Sequence, residues 1–458
     1  MPTQSIEQLK SSFRGELIQP MDAAFESARK VHNGMIDKRP RLIARCVDVA
    51  DVIAAVCFGA GNEMLTAVRG GGHNGGGLGT CHDGLVIDLS RMKGIRVDPA
   101  HKTVRVEAGC VWGDVDHATH AFGMATPCGF VSSTGVGGLT LGGGIGYLTR
   151  RFGLTIDNLL AVDMVLADGR FVTASSEQNP DLFWAVRGGG GNFGVITSFE
   201  FRLHPIEMVQ FGPTFWPMEE AANILSAYRD FIKKAPEYVG GFFAFLIVPP
   251  APMFPEHLHL KKVCGIVWCS TGSAEQTEEA LKPMRSLGNP LLDHVGPAPF
   301  PAVQSLFDPL FGPGLQWYWR ADNFTELSDE AIARHVEHGS KLPTVLSTMH
   351  LYPVNGAPQR VGTNDTAYSF REALFVEVIV GVDPDPANAQ KITEWCKDYW
   401  DALHPFSAGG AYVNFMMEEG QDRVQASYRE NYDRLAEIKK KYDPKNFFRV
   451  NQNIRPAV

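Results

Sequence analysis

Val68-Arg69-Gly70-Gly71-Gly72-His73-Asn74 is the segment that the rest of this 458-residue chain is built around. Three consecutive glycines remove every Cβ that would hold a backbone away from an anion. Their amides can converge on phosphate oxygens as a nest of N–H dipoles. His73 stands at the rim of that nest, with Arg69 and Asn74 on either side. A turn closing on its own fold would account for one such run. The ligand reading gains because 47 of the 458 residues are glycine and the excess is concentrated before residue 200.

The most specific run is SSTGVGGLTLGGGIGY, from Ser132 to Tyr147, with seven glycines in sixteen residues. Gly135, Gly137 and Gly138 form its first turn and Gly142, Gly143, Gly144 and Gly146 its second, with Thr134 and Thr140 beside them. A backbone that must lie flat against a planar ring and a pyrophosphate needs such a run. Any side chain would hold the ligand off. Arg150 to Asn158 follow, then a hairpin signal around Asp168-Gly169, and a third run, RGGGGNFGVIT, that ends on Gly194, Val195, Ile196 and Thr197. Neither of the first two runs gives G-x-G-x-x-G between a strand and a helix, and no G-x-x-x-x-G-K-[ST] occurs. A Rossmann NAD site and a P-loop are therefore unsupported.

The length predicts two or three domains. A hydrophobic content of 44% with 20% charged residues fits a folded globular chain. A net charge of −9 argues against a nucleic-acid partner. The N-terminus lacks the apolar core of a signal peptide, and no run of about 18 apolar residues suggests a membrane span. Eight cysteines, Cys46, Cys57, Cys81, Cys110, Cys128, Cys264, Cys269 and Cys396, lack C-x-x-C spacing. The expectation is reduced thiols in a cytoplasmic protein without a metal site, as a monomer or small homo-oligomer.

Periodicity predicts helices over Met21–Val31 and Asp48–Phe58, the second capped by Asp48. Strands are expected at Arg41–Ala44, Gly84–Leu89 and Thr103–Ala108. After Phe211 the glycine clusters stop. Amphipathic helices (Ala221–Ala235, Ser273–Leu287, Asp329–Gly339, Asp385–Leu403) then alternate with strand candidates Gly241–Val248, His257–Trp268, Val345–Tyr352 and Glu372–Val380. On the last of these, Glu377 shares a face with Phe375 and Ile379. It is either a solvated interruption or a cleft carboxylate with a raised pKa. Tyr412-Val413-Asn414-Phe415 precedes a helix over Asp422–Tyr442. Asp-Pro-Lys-Asn-Phe-Phe and the asparagines Asn451 and Asn453 follow.

The ordered set RGGGH, TGVGGLTLGGGIGY, RFGLTIDN, VLADGR and DLFWAVRGGGGNFGVIT resembles the FAD-binding domain of the vanillyl-alcohol-oxidase (PCMH) superfamily. Within it the chain is most similar to the berberine-bridge-enzyme-like flavoproteins. The motifs span roughly residues 40–205, and 411–456 resembles the family's C-terminal segment. The resemblance implies an α+β fold. An FAD-binding domain would occupy residues 1–205, a substrate domain with an antiparallel sheet 206–410, and a tail returning to the first domain 411–458.

The implied reaction is two-electron oxidation of a small alcohol, sugar or amine-type metabolite by FAD. Hydride goes to flavin N5, and O2 returning as H2O2 is the expected acceptor. A dehydrogenase, an oxidative cyclase or a non-catalytic flavin binder are the alternatives. His73 matches the linking histidine, and the glycines above, Asn158, Asn414, Asn451 and Asn453 are expected around the cofactor. Glu377 and Tyr412 match the family's carboxylate and tyrosine in order, with His350 and Asp365 as further acid–base candidates. The alternative to the functional reading is that Tyr412 and the asparagines merely cap a helix. Two departures stand out. Gly75 occupies a position where many members carry tyrosine, predicting a roomier pocket. Val131 stands where many carry a second, cysteine link, and Cys128 lies three residues too early, so a single link through His73 is expected.

Overall fold

The computed structural model describes residues 3–458. The chain is an α+β protein organised on three sheets. The first holds β1 (Glu16–Ile18), β2 (Leu42–Arg45), β3 (Thr66–Arg69) and β4 (Leu85–Asp88) in the order β1-β2-β4-β3. β2, β4 and β3 run parallel, and β1 is an antiparallel edge. Parallel pairing needs a crossover, and helix Val49–Gly61 supplies it, started by the Asp48 side chain accepting from the Asp51 amide. The expected Met21–Val31 helix shrinks to Phe25–Ala28, where only Phe25 and Ala28 are buried to hold it.

The second sheet comprises β5 (Ile95–Asp98), β6 (Thr103–Glu107), β7 (Leu159–Val165), β8 (Phe171–Ser175) and β9 (Val195–Arg202), antiparallel in the order β5-β6-β9-β7-β8. Gly169, at φ +80°, turns the β7–β8 hairpin. The second glycine run lies between β6 and β7, so it is carried on this sheet while it faces the first.

The third sheet begins at Met208. It is built from β10 (Met208–Pro217), β11 (Val239–Ile247), β12 (Lys262–Ser270), β13 (Leu292–Asp293), β14 (Gly296–Pro299), β15 (Gln316–Phe324), β16 (Thr348–Pro353) and β17 (Phe375–Asp383). The order is β13-β10-β12-β11-β16-β17-β15, with β14 also paired to β10. Both faces are buried. Phe243, Ile266, Phe375 and Ile379 pack on helices Ala221–Ile232, Asp329–Gly339 and Ala389–Leu403. Phe242, Tyr352, Val378 and Val380 join the core shared with the first two sheets. Period-2 alternation therefore divides each strand between a helix layer and an inner face. The expected tail helix is two, Gln421–Tyr428 and Asn431–Tyr442, broken where Arg429 takes φ +49°.

Candidate active site

The three glycine runs and the inner face of the third sheet enclose one elongated cavity, with about 380 Å³ open to the centres of water molecules. Arg69, at the end of β3, lines it but spends its charge on the Asp88 carboxylate, 2.8 Å away. Burial raises the Asp88 pKa, but that guanidinium outweighs it and holds the carboxyl below its usual value. The Gly70–Gly72 loop then crosses the first turn of the second run. A Cβ on Gly71 would lie 2.6 Å from the Gly135 main chain. Gly72 takes φ +71°, a conformation that favours glycine.

His73 is half-buried at the cavity wall, stacked on His32 with ring centroids 4.0 Å apart and planes 21° apart. Burial and then His32 push its pKa down to about 3, against a hydrogen bond from the ring to the Ser133 backbone. The imidazole is therefore neutral near pH 7. A neutral imidazole keeps one ring nitrogen with a lone pair. His32 is fixed by its own backbone, its amide donating to Gly72 O at 3.0 Å and its carbonyl accepting from Gly314 at 2.9 Å.

Tyr412 lines the same cavity from the tail. Its phenolic oxygen accepts from the Gly144 amide at 2.9 Å and from Asn414 Nδ2 at 2.7 Å, and the Ile145 backbone adds a third bond. Burial pushes the phenol up to about 12, and these donors work against that rise. Donors alone surround the oxygen, so these bonds limit the rise that burial imposes and would stabilise the phenolate when it forms.

Glu377 does not join Tyr412. It projects from the helix-facing side of β17, fully buried, with His335 Nδ1 3.6 Å from its Oε1. Neither carboxyl oxygen has a hydrogen-bond partner, and burial followed by Asp322 raises its pKa well above the carboxylate range. The inner face of β17 carries Val378 and Val380 instead. The proposed carboxylate–tyrosine pair is thus separated by a sheet, and the base role expected of Glu377 is withdrawn. Asp365 is exposed and away from the cavity, whereas His350 lines it.

Of the expected cofactor contacts, Arg69, Gly70, Gly71, Gly72, His73, Asn74, Thr134, Gly135, Gly137, Gly138, Gly194, Ile196, Asn414 and Asn451 line the cavity. Thr140, Gly142, Gly143, Gly144, Gly146, Asn158, Val195 and Asn453 do not. Their places have local causes. A Cβ on Gly142 would strike Asn414 at 2.2 Å, and one on Gly146 would strike the Cys128 carbonyl at 1.8 Å, so the second turn is glycine because the chain packs on itself there. Asn158 caps backbone at Phe152 and Leu154, Val195 is a buried strand residue, and Asn453 borders a neighbouring pocket.

Gly75 leaves no added room. A Cβ there would fall 2.4 Å from the Trp319 indole, which fills the space that the missing tyrosine was expected to vacate. Val131 lines the cavity. Cys128 is buried outside it, its sulfur contacted by Gln304 Nε2 at 2.6 Å. His32, Phe130, Trp317, Trp319 and Tyr352 are wall residues that no motif announced.

The wall suits FAD. A Cβ built on Gly138 or Gly191 meets nothing within 4 Å, so bare backbone faces open space there. Asn451 Oδ1 and the Tyr428 hydroxyl, at the same wall, are buried without a partner in the protein. Family models agree: an FAD binding domain matches residues 40–175, and a berberine and berberine-like segment matches 411–455. An FAD-linked oxidoreductase of Dictyostelium discoideum is 32% identical over 99% of this chain and 97% of its own. The chain belongs to the berberine-bridge-enzyme-like FAD-linked oxidoreductases. Among solved structures, 6-hydroxy-D-nicotine oxidase from Arthrobacter nicotinovorans superposes on this oxidoreductase with a TM-score of 0.88 at 27% identity, covering 99% of this chain and 100% of that one. Glucooligosaccharide oxidase of Acremonium strictum, described with a 6-S-cysteinyl, 8α-N1-histidyl FAD, shares the fold at a TM-score of 0.86, with 22% identity and 98% of each chain covered.

Proposed function

We propose that this FAD-linked oxidoreductase is an oxidase of a small metabolite, with O2 as electron acceptor, H2O2 as product, His73 as its single flavin link and Tyr412 as its base. Bound FAD would accept the hydride that leaves a substrate C–H. The chain's own part is to hold the substrate and to take the neighbouring O–H or N–H proton. The Tyr412 oxygen carries the reading: it is the one acidic hydroxyl of the cavity held by N–H donors, and no carboxylate lines that wall among the described residues. As the phenolate it can receive the substrate proton while Gly144, Ile145 and Asn414 hold its position.

His73 is offered as the link because its ring is neutral, and so keeps one nucleophilic nitrogen, and lines the cavity. Cys128 is not, because it lies outside the wall with its thiol pushed well up by burial, so that the reactive thiolate is scarce. The relatives' named substrates, a hydroxynicotine and a glucooligosaccharide, support a small-molecule substrate here.

An anaerobic screen of alcohols, sugars and amines against purified, flavin-loaded protein tests the assignment. Loss of the visible flavin band with one of them, followed by its return and peroxide release on aeration, is expected. Bleaching with no return in air would make the protein a dehydrogenase. No bleaching across a broad panel would favour a flavin binder without turnover.

A further inference from the structure

We propose that the substrate is an uncharged, flat aromatic or heteroaromatic molecule with a hydrogen-bond acceptor that pairs with His350; the proposal rests on the flavoenzyme reading above. The roof of the cavity decides it. Trp317 and Trp319 from β15, Val378 and Val380 from β17, and His350 and Tyr352 from β16 all face inward. Phe130, from the loop before the second glycine run, stacks on Tyr352 with centroids 4.1 Å and planes 20° apart. These parallel and tilted rings form walls that suit a planar ligand.

The cavity is also without net charge. No Asp, Glu or Lys lines it among the described residues, and Arg69 is already paired to Asp88. His32, His73 and His350 are all pushed down by burial, to about 4, 3 and 3, so each is neutral. A permanently charged substrate under this roof would lose its hydration without meeting a counter-ion or the backbone N–H groups that the glycine runs offer an anion.

The roof offers hydrogen-bond donors in excess of acceptors. Thr348 donates to the Phe245 carbonyl at 2.8 Å. The Tyr352 hydroxyl and His350 Nδ1 are 2.6 Å apart. A phenol is the better donor and an imidazole nitrogen the better acceptor, so the phenol donates and His350 carries its proton on Nε2. That leaves the His350 Nε2–H as a donor for a ligand, beside the Trp317 and Trp319 indole N–H groups, which are buried without a partner in the protein. A ligand with acceptors meets these donors, whereas each pyranose hydroxyl also brings a donor, and the side-chain acceptors among these roof residues are only the Thr348 and Tyr352 hydroxyl oxygens; a hydroxyl left unpaired weakens binding by about tenfold.

Equilibrium dialysis of the flavin-loaded full chain tests this with coumarin, naphthalene, cellobiose and benzyltrimethylammonium, in wild type and His350→Leu. Coumarin, flat and neutral with a carbonyl acceptor, is expected to bind at least about tenfold more tightly than the sugar or the cation. His350→Leu should weaken coumarin by about tenfold and leave naphthalene within about twofold, since naphthalene has no acceptor. Cellobiose or the cation binding as well as coumarin, or none of the four being retained, overturns the proposal. Equal weakening of coumarin and naphthalene in the variant overturns the His350 contact. The flavin content of the same preparations reports on the flavoenzyme reading separately: colourless wild type sinks that reading, and a flavin-loaded protein that prefers cellobiose sinks only this one.

Discussion

Gly71 and Gly135 touch backbone to backbone. A Cβ on the first would sit 2.6 Å from the second's Cα and nitrogen, and a Cβ on the second 2.4 Å from the Gly71 amide. The contact joins the loop that carries His73 to the turn that carries Thr134, across the junction of two sheets. Gly71→Ala or Gly135→Ala must push these loops apart. Overpacking of this kind costs about 1–3 kcal/mol. The expected result is a lower melting temperature with reduced flavin content. Normal flavin loading in both variants would mean the loops tolerate separation.

The single-link assignment separates His73 from Cys128. His73→Ala should leave FAD bound without a covalent bond, so acid precipitation yields a colourless pellet where wild type gives a yellow one. Cys128→Ala should leave the pellet yellow and the flavin-peptide mass unchanged. A flavin–cysteine adduct in wild type that disappears in Cys128→Ala refutes the single link.

Tyr412→Phe should slow flavin reduction by about 10²- to 10⁴-fold while changing substrate affinity little. The sign of the pH dependence follows from the phenol's upward shift to about 12. The active form is the deprotonated one, so wild-type reduction should quicken as pH rises, by up to about tenfold per unit below that value. Tyr412→Phe should flatten the profile. Wild-type rates in the variant, or a wild-type rate that falls on the alkaline side, would remove Tyr412 as base.

Glu377 gives a contrasting expectation. Its flavin reduction rate should be unchanged in Glu377→Gln, because the side chain is on the other face of the sheet. Its stability should differ with pH. The folded-state pKa is raised well above the ordinary carboxylate value, so the folded protein keeps a proton that the unfolded chain releases above about pH 4.3. Stability is then full below the unfolded value and falls as pH rises toward the folded one, by up to about 1.4 kcal/mol per unit. Glutamine cannot ionise, so the melting temperature of the variant relative to wild type should climb between about pH 5 and pH 8. A gap independent of pH would mean that Glu377 is ionised in the fold.

That residue also shows what the sequence could and could not reveal. Alternation placed Glu377 with Phe375 and Ile379, and the structure keeps the three together. Both faces of β17 are buried, however, so periodicity could not say which one meets the cavity. β15 escaped notice because Arg320 and Asp322 lie on its helix-facing side, where partners distant in sequence neutralise them: Glu419 for Arg320, and Arg423 at 2.5 Å with His404 at 2.9 Å for Asp322. Charges at alternate positions hid a buried strand and, with it, Trp317 and Trp319. β10 carries Gly212-Pro213 in mid-strand, a pair that weakens the strand signal there. The glycine runs were legible because backbone approach leaves a compositional mark. Contacts such as His32 on His73 leave none, since either residue alone is an ordinary histidine.

The last expectation concerns oxygen. Thr134 precedes the first glycine of the turn and lines the cavity beside Gly71 and His73. In the family this chain resembles, that position lies over the flavin face that O2 approaches. A threonine has the volume of valine, and a leucine would add reach at the cavity wall that Thr134 lines. Reduced wild-type protein should therefore reoxidise quickly on mixing with aerated buffer in a stopped-flow instrument and release peroxide. Thr134→Leu should slow that reoxidation by about tenfold or more while leaving anaerobic reduction by substrate within about twofold. Reduction serves as the control, because a leucine that merely disturbed the Gly71–Gly135 contact would slow both half-reactions and lower flavin content. Slow reoxidation of wild type, or a variant as fast as wild type, would place control of oxygen elsewhere in the cavity.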